Sequence, residues 1–219
     1  MIDFDKMSEN YFFREDRKKE LGRYYPSEIG NCLRKTWYSY NHPRKTDPNL
    51  IRIFELGNMI HELVAKILKS DKNPEIELLE EETSFKQVEE EFTISGRIDD
   101  LILVKENNAK VLVEVKSAKS IDYVNEPSPQ YEDQLQYYMH VTGVHSGIIL
   151  YIDKTNLKSK TFVVQYEKEK AEKVVRRFRF LHDHLKQGKL PFAEAKIEPK
   201  KNFMCRFCEY ADKCEKDEE

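Results

Sequence analysis

Apolar and polar positions recur along the chain with two different periods, and these periods separate predicted helices from predicted strands. Stretches with helical spacing of apolar residues run over 27–40, from about Leu50 to Asn73, over 129–141 and up to Lys186. Runs of strand formers cover 77–85, 92–104, 111–115, 147–152 and 160–166. The mixture of the two predicts an α/β fold with a mixed central sheet flanked by helices.

Composition changes this picture little. The 219 residues suit one compact domain, and 37 basic against 40 acidic residues describe a soluble globular protein with a net charge of -3. That sum argues neither for nor against nucleic-acid binding, because phosphate contacts depend on local clusters of Lys and Arg. The sequence has no apolar run of about 18 residues and no signal-peptide pattern at its start, so we expect a cytoplasmic protein without a membrane partner.

Two adjacent predicted strands carry acidic residues at positions where strand formers surround them. Asp99 lies inside the run 96–104 and needs a partner there, because burial of an unpaired charge is costly. In the run 111–116, alternation places Glu114 and Lys116 on one face of the strand. If the hairpin aligns Asp99 with Glu114, the two carboxylates can share one hard divalent cation.

The chemistry that such a pair predicts is metal-assisted attack on a phosphate. The carbonyl of Val115 is a natural third oxygen ligand, and the cation would polarise a phosphate and acidify a bound water. Lys116 is placed to orient that water or to stabilise charge on the phosphate oxygens. Asp100 replaces Asp99 as the ligand if the register differs by one residue. The Glu-x-Lys pattern alone is weak, since 194–196 and 198–200 also match it.

The order of motifs carries a family resemblance. The Gly-x-x-Asp strand, the turn at 106–108, the Glu-x-Lys strand and the helix with Gln134 and Tyr138 resemble, in that order, the RecB-like branch of the PD-(D/E)XK nucleases. This resemblance implies a restriction-endonuclease-like fold and Mn²⁺- or Mg²⁺-dependent cleavage of DNA. It also implies that His61 is a further metal ligand and that Gln134 and Tyr138 point toward the active site or the DNA.

Cysteine spacing predicts a second site. Cys205, Cys208 and Cys214 form a C-x2-C-x5-C cluster, and Cys32 is the only other cysteine. Four thiolates can hold either zinc or an iron–sulfur cluster, and spacing leaves both open. One remote cysteine with a C-terminal triplet resembles the iron–sulfur nucleases of the RecB-like group, above all the stand-alone CRISPR-associated exonucleases. That resemblance implies a [4Fe-4S] cluster that joins the C-terminal segment to the N-terminal helix.

The resulting interpretation is a single nuclease domain over 1–219. Its parts are the helix 27–40 with one cluster ligand, the core 50–190 and the cysteine segment 191–219. The resemblance implies an exonuclease that trims single-stranded or frayed DNA ends and processes spacers with the CRISPR adaptation integrase. Two alternatives stay open: a repair or viral end-processing nuclease, and a non-catalytic DNA-binding or scaffolding subunit.

Basic and aromatic residues near the cysteines suggest a path for DNA. The predicted basic rim consists of Arg34, Lys35, Lys200, Lys201 and Arg206. The aromatic residues that could stack on unpaired bases are Tyr24, Tyr25, Trp37, Phe203 and Phe207. For Trp37, packing in the core is the alternative role.

Overall fold

The computed structural model describes residues 2–13, 19–199 and 201–217. The helices are α1 Phe4–Phe12, α2 Pro26–Ile29, α3 Leu33–Asn41, α4 Pro48–Leu68, α5 Pro129–Thr142, α6 Lys168–Lys186, α7 Glu194–Ile197 and α8 Ala211–Lys216, with a 3-10 helix at Asn202–Phe207. The strands are β1 Arg23–Tyr24, β2 Ile76–Val88, β3 Thr93–Val104, β4 Ala109–Ala118, β5 Ser146–Asp153 and β6 Ser159–Gln165. Within these ranges no helix combines the length and apolar character needed to cross a bilayer.

The strands form one mixed sheet in the order β1-β3-β4-β5-β6, with β2 paired to β3. The β1–β3 and β4–β5 pairs are parallel, and the other pairs are antiparallel. Because β2 accompanies β3 along nearly its whole length, β1 and β4 must share the other edge of β3. The stretch of that edge between them, 95–99, forms no ladder with either strand. The mixed sheet flanked by helices was predicted from the sequence and is confirmed.

The two faces of the sheet are covered by different helices. On one face α5 and α6 pack over a large core that includes Leu112, Leu135 and Phe178. On the other face, Ile60 and Val64 of α4 pack over β-branched residues of the central strands. Alternation along β4 therefore sends Val113 and Val115 toward α4 and Leu112 toward α5, as the period of two predicted.

The predicted helix 27–40 is instead two helices, α2 and α3, separated at 30–32. Gly30 lies at this break, where α5 approaches closely: an added Cβ would lie 2.0 Å from Cβ of Gln130, so only glycine fits. The helix that was predicted from about Leu50 to Asn73 is α4. It begins at Pro48, where the side chain of Asp47 accepts a hydrogen bond from the N–H of Asn49 at 2.8 Å, and it ends at Leu68. Neither α1 nor β1 was predicted.

The C-terminal segment has a polar anchor that the sequence did not reveal. Glu194 of α7 is only 1% exposed and receives hydrogen bonds from both terminal nitrogens of Arg177, from Lys201 and from the backbone N–H of Leu33. Arg177 also donates to the carbonyls of Ile29 and Asn31. Charge pairing therefore joins α6, the α2–α3 connection and the tail.

Candidate active site

Asp99 and Glu114 lie where the β3–β4 ladder ends. The last ladder pair is Asp100 with Val113, so continuation of this register sets Asp99 opposite Glu114. Beyond that pair the backbone N–H of Val115 donates to Oδ2 of Asp99 at 2.8 Å. The carboxylate of Asp99 thus accepts the hydrogen bond from Val115 that a backbone carbonyl of β3 would accept if the ladder continued. The sequence left this register open, with Asp100 as the ligand if it differed by one residue; in the structure it is Asp99 that lies opposite Glu114.

Glu114 is a buried acid with one unused oxygen. Its side chain is 1% exposed, its Oε1 accepts a hydrogen bond from Nζ of Lys116, and its Oε2 has no partner among the described residues. Burial, followed by the negative charge of Asp99, raises the pKa of Glu114 to about 7. A buried carboxylate oxygen without a partner is costly, and a bound cation would satisfy it.

His61 and Lys116 approach the two acids from different elements. Nδ1 of His61, on α4, lies 3.4 Å from Oδ1 of Asp99. Burial alone would lower the pKa of His61, but the hydrogen bond and the charge of Asp99 outweigh it and raise the pKa. Burial would likewise lower the pKa of Lys116, but the charges of Glu114 and Asp99 raise it, so the ammonium form persists at neutral pH.

Tyr131 completes the surroundings of Lys116 and was missed at the sequence level. Nζ of Lys116 lies 4.7 Å from the centre of the Tyr131 ring, a cation–π contact that holds the ammonium beside Glu114. A signal existed, because Tyr131, Gln134 and Tyr138 are spaced three and four residues apart and share one face of α5.

Gln134 and Tyr138 are buried and contact the backbone of β3. Nε2 of Gln134 donates to the Tyr138 hydroxyl at 2.8 Å, and this hydroxyl donates to the carbonyl of Arg97 at 3.0 Å. That carbonyl belongs to the unpaired edge of β3, two residues before Asp99. The pair therefore lies on the side of α5 that faces the acids, and its direct contact is with the strand backbone.

Asp100 points to the opposite face from Asp99. It is 3% exposed, it pairs in register with Glu81 of β2, and its Oδ1 has no partner among the described residues. Burial and the charges of Asp99 and Glu81 raise the pKa of Asp100 to about 7. A pocket of about 320 Å³ lies beside it and is lined also by His61 and Asp99.

The described residues contain no ready-made group of three or more His, Cys, Asp or Glu side chains positioned around one metal ion. At the acids, the ammonium of Lys116 instead balances the charge of Glu114. A divalent ion at this point would require the side chains to rearrange around it.

The four cysteines line one cavity of about 100 Å³, and all four are free thiols. Cys32 precedes the first residue of α3 and is buried, whereas the other three belong to the C-terminal segment. Burial and the charges of the other three cysteines raise the pKa of Cys205. Nη1 of Arg34 lies 3.5 Å from Sγ of Cys214. Distant parts of the sequence therefore meet at this cavity.

The predicted basic rim is largely used for internal contacts. Arg34 is buried and donates to the carbonyl of Pro191, and Lys201 is paired with Glu194 and Glu198. Lys200 lies outside the described residues. Arg206 remains exposed and Lys35 half-buried. The rim as predicted is therefore not one continuous cationic surface among the described residues.

The predicted stacking aromatics separate into two groups. Tyr24 and Trp37 are buried in the core, where the Tyr24 hydroxyl lies 2.8 Å from Nδ1 of His182. Phe203 and Phe207 are exposed and Tyr25 is half-buried. Packing is thus the role of Trp37, the alternative that the sequence left open.

Comparison with known proteins identifies the class. The sequence profile of the PD-(D/E)XK nuclease superfamily matches residues 71–215, more than half of the chain. The chain belongs to this superfamily, whose members generally use Mg²⁺ or Mn²⁺ and act on DNA. The matched range includes Asp99, Glu114 and Lys116 but neither His61 nor Cys32. A comparison with curated proteins found no significant sequence match.

Solved structures share the fold. The crystal structure of SSO0001 aligns with a TM-score of 0.64 at 19% identity, covering 94% of this chain and 92% of that one. A phage-related exonuclease from Haemophilus somnus 129PT aligns with a TM-score of 0.53 at 14% identity, covering 75% of this chain and 94% of that one. At these identities the likeness concerns the fold.

Proposed function

We propose that this chain is a metal-dependent DNA exonuclease that trims single-stranded or frayed ends. The observation that carries the proposal is the convergence of Asp99 and Glu114 across neighbouring strands with the ammonium of Lys116 beside them. Superfamily membership supports nuclease chemistry, and the structural likeness to a phage-related exonuclease agrees with action at DNA ends.

His61, Asp99 and Glu114, with the carbonyl of Val115, would hold a Mn²⁺ or Mg²⁺ ion. The donors fit, because carboxylate and carbonyl oxygens suit both ions, an imidazole favours manganese, and the buried Oε2 of Glu114 lacks a partner. When bound, the ion would polarise the scissile phosphate and acidify a water.

Lys116 and the Gln134–Tyr138 pair have separate proposed roles. Lys116 stays charged at neutral pH and would stabilise negative charge on the phosphate oxygens. Gln134 and Tyr138 would act as positioning residues, because their hydrogen bonds hold the carbonyl of Arg97 and so the strand that carries Asp99.

The test is cleavage of end-labelled single-stranded and blunt double-stranded oligonucleotides with Mn²⁺, Mg²⁺ or excess EDTA. We expect shortening of the single strand with either metal and none in EDTA. Replacement of Lys116 by methionine, which keeps the stem but removes the charge, should lower the rate by about 10²-fold. Lys158→Met, on an exposed turn, is the matched control and should cut like wild type. No metal-dependent cleavage by wild type would favour the non-catalytic scaffold, and equal non-zero rates for wild type and Lys116→Met would contradict the role of Lys116.

We also propose that Cys32, Cys205, Cys208 and Cys214 hold a [4Fe-4S] cluster. The support is that four free thiols from distant segments line one cavity. The spacing of one remote cysteine and a C-terminal triplet also resembles that of the iron–sulfur nucleases of the RecB-like group. The group would stabilise the contact between the tail and α3 and would take no part in hydrolysis, because hydrolysis transfers no electrons. Zinc is the alternative occupant.

Iron and acid-labile sulfide of protein purified without oxygen test this proposal. We expect about four irons per chain and a broad visible absorbance that Cys205→Ala removes, together with a lower melting temperature. Phe207→Ala changes an exposed neighbour and should keep both the iron and the colour. Zinc in place of iron, or an unchanged spectrum in Cys205→Ala, would contradict the cluster.

The biological setting that we propose is the cytoplasm, where free thiols persist. The resemblance to CRISPR-associated exonucleases supports trimming of spacer ends beside the adaptation integrase. Repair or viral end processing would use the same chemistry.

A further inference from the structure

A groove of about 910 Å³ lies outside the candidate active site, between α4 and strands β2 and β3. Its walls include Phe54 and Asn58 of α4, Lys86 of β2 and Arg97 of β3, and Arg23 lies at β1. The groove shares no lining residue with the cysteine cavity.

This groove is continuous with the pocket at the acids. Asn58 and Arg97 line both the groove and the 320 Å³ pocket that contains His61 and Asp99. A polymer lying in the groove therefore reaches the candidate metal ligands without crossing the core.

The charges of the two cavities differ in sign. Arg23, Lys86 and Arg97 line the groove, and Glu55 is the one acidic residue among its described lining residues. Arg97 is also paired with Glu82 at 3.0 Å, so Arg23 and Lys86 carry most of the positive charge that the groove offers to a phosphate. The pocket at the acids is lined instead by five carboxylates and two basic residues, His61 and Arg97. The groove therefore suits the phosphates of DNA, and the pocket suits a divalent cation. A DNA backbone in the groove would lie beside the metal ligands and not on top of them.

Aromatic side chains in the groove suit unpaired bases. Phe54 is 57% exposed although it lies on a helix whose other face packs against the sheet. Tyr25 also lines the groove, with the guanidinium of Arg23 5.7 Å from the centre of its ring. Bases stack on such rings only when they are unpaired, so the groove favours a single strand over a duplex.

We propose that this groove binds the single-stranded segment of the DNA substrate, with bases against Phe54 and Tyr25 and phosphates near Lys86, Arg23 and Arg97. The proposal rests on the proposed nuclease function and specifies where its substrate lies. It replaces the rim beside the cysteines as the path of the strand.

Binding can be measured apart from cleavage. The probe is a fluorescein-labelled oligothymidylate in EDTA, with fluorescence anisotropy as the readout. We expect Phe54→Ala to weaken binding about tenfold through the lost stacking. Lys86→Ala should weaken it severalfold and reduce the slope of log affinity against log salt by about one. The controls are Val163→Ala and Lys158→Ala on the opposite edge of the sheet, which should bind like wild type.

The outcomes separate this inference from the nuclease function. Loss of single-strand affinity in both groove variants, with unchanged melting temperatures and unchanged controls, supports the groove. Wild-type affinity in both groove variants overturns it, and so does a wild type that binds no oligonucleotide in EDTA. If wild type nevertheless degrades DNA with manganese, the nuclease proposal stands and only the groove fails.

Discussion

Asp99→Asn is expected to lower the rate of metal-dependent cleavage by about 10³-fold or more, because loss of a metal ligand costs several kcal/mol and each ~1.4 kcal/mol is a factor of ten in rate. Asp100→Asn is expected to keep the rate within about tenfold of wild type. Asp99 contacts His61 and the N–H of Val115, beside Glu114. Asp100 faces α4 and pairs in register with Glu81. The two adjacent acids both line the pocket that contains His61, but they point to opposite faces of β3, and only Asp99 lies on the face of Glu114.

The measurement is the single-turnover rate on an end-labelled single strand across a manganese titration. Each variant changes one carboxylate to an isosteric amide, so each is the other's control for the loss of a charge. If Asp100→Asn were as inactive as Asp99→Asn, the ligand assignment would be wrong and the alternative register would regain support.

Glu194→Gln is expected to lower the free energy of unfolding by about 3–5 kcal/mol, because breaking a buried ion pair leaves charge without compensation. Arg177 and Lys201 both direct their charges at this carboxylate, and both side chains are largely buried. For a domain of this size the melting temperature should fall by about 10 °C. Glu198→Gln is the matched control: Glu198 also contacts Lys201, at 3.2 Å, but is exposed, so its loss should change stability by less than about 1 kcal/mol.

The pKa of Glu194 predicts part of the sensitivity of the folded protein to acid. Burial would raise the pKa of Glu194, but hydrogen bonds and charges from Arg177 and Lys201 outweigh burial and lower the pKa from 4.5 to about 2. A lowered carboxyl pKa stabilises the fold above pH 4.5, and this stabilisation disappears as the pH falls toward 2. Denaturant unfolding of wild type and Glu194→Gln should therefore differ most at neutral pH and converge in acid. A constant difference from pH 7 to pH 2 would contradict this account.

The β3–β4 hairpin could be predicted because its information is local. Alternation in 111–116 set the faces of Glu114 and Lys116, whereas the choice between Asp99 and Asp100 stayed open until the register of the hairpin was seen. Tyr131 was missed although its spacing with Gln134 was visible. Its contact with Lys116 forms only when the first turn of α5 packs over β4, and the sequence does not show that packing.

The tail shows the opposite case. Its short apolar runs gave no sign that Glu194 would meet Arg177, since the two residues meet only after α6 has packed on the sheet. Arg34 and Lys201 looked like DNA contacts in the sequence because both are cationic near a cysteine. In the structure Arg34 instead donates to the carbonyl of Pro191 and Lys201 pairs with Glu194, so both residues stabilise the fold.

What the sequence by itself determined is the element types, the acid–acid–lysine set and the cysteine spacing, since periodicity and hairpin register act over a few residues. The tertiary structure decided which cations stay free, which aromatic side chains remain exposed and where a strand of DNA can lie. Those properties depend on contacts between residues far apart in the chain, such as Cys32 with the C-terminal cysteines and α4 with β2. No local pattern encodes such contacts, because they exist only once the sheet and its helices have packed.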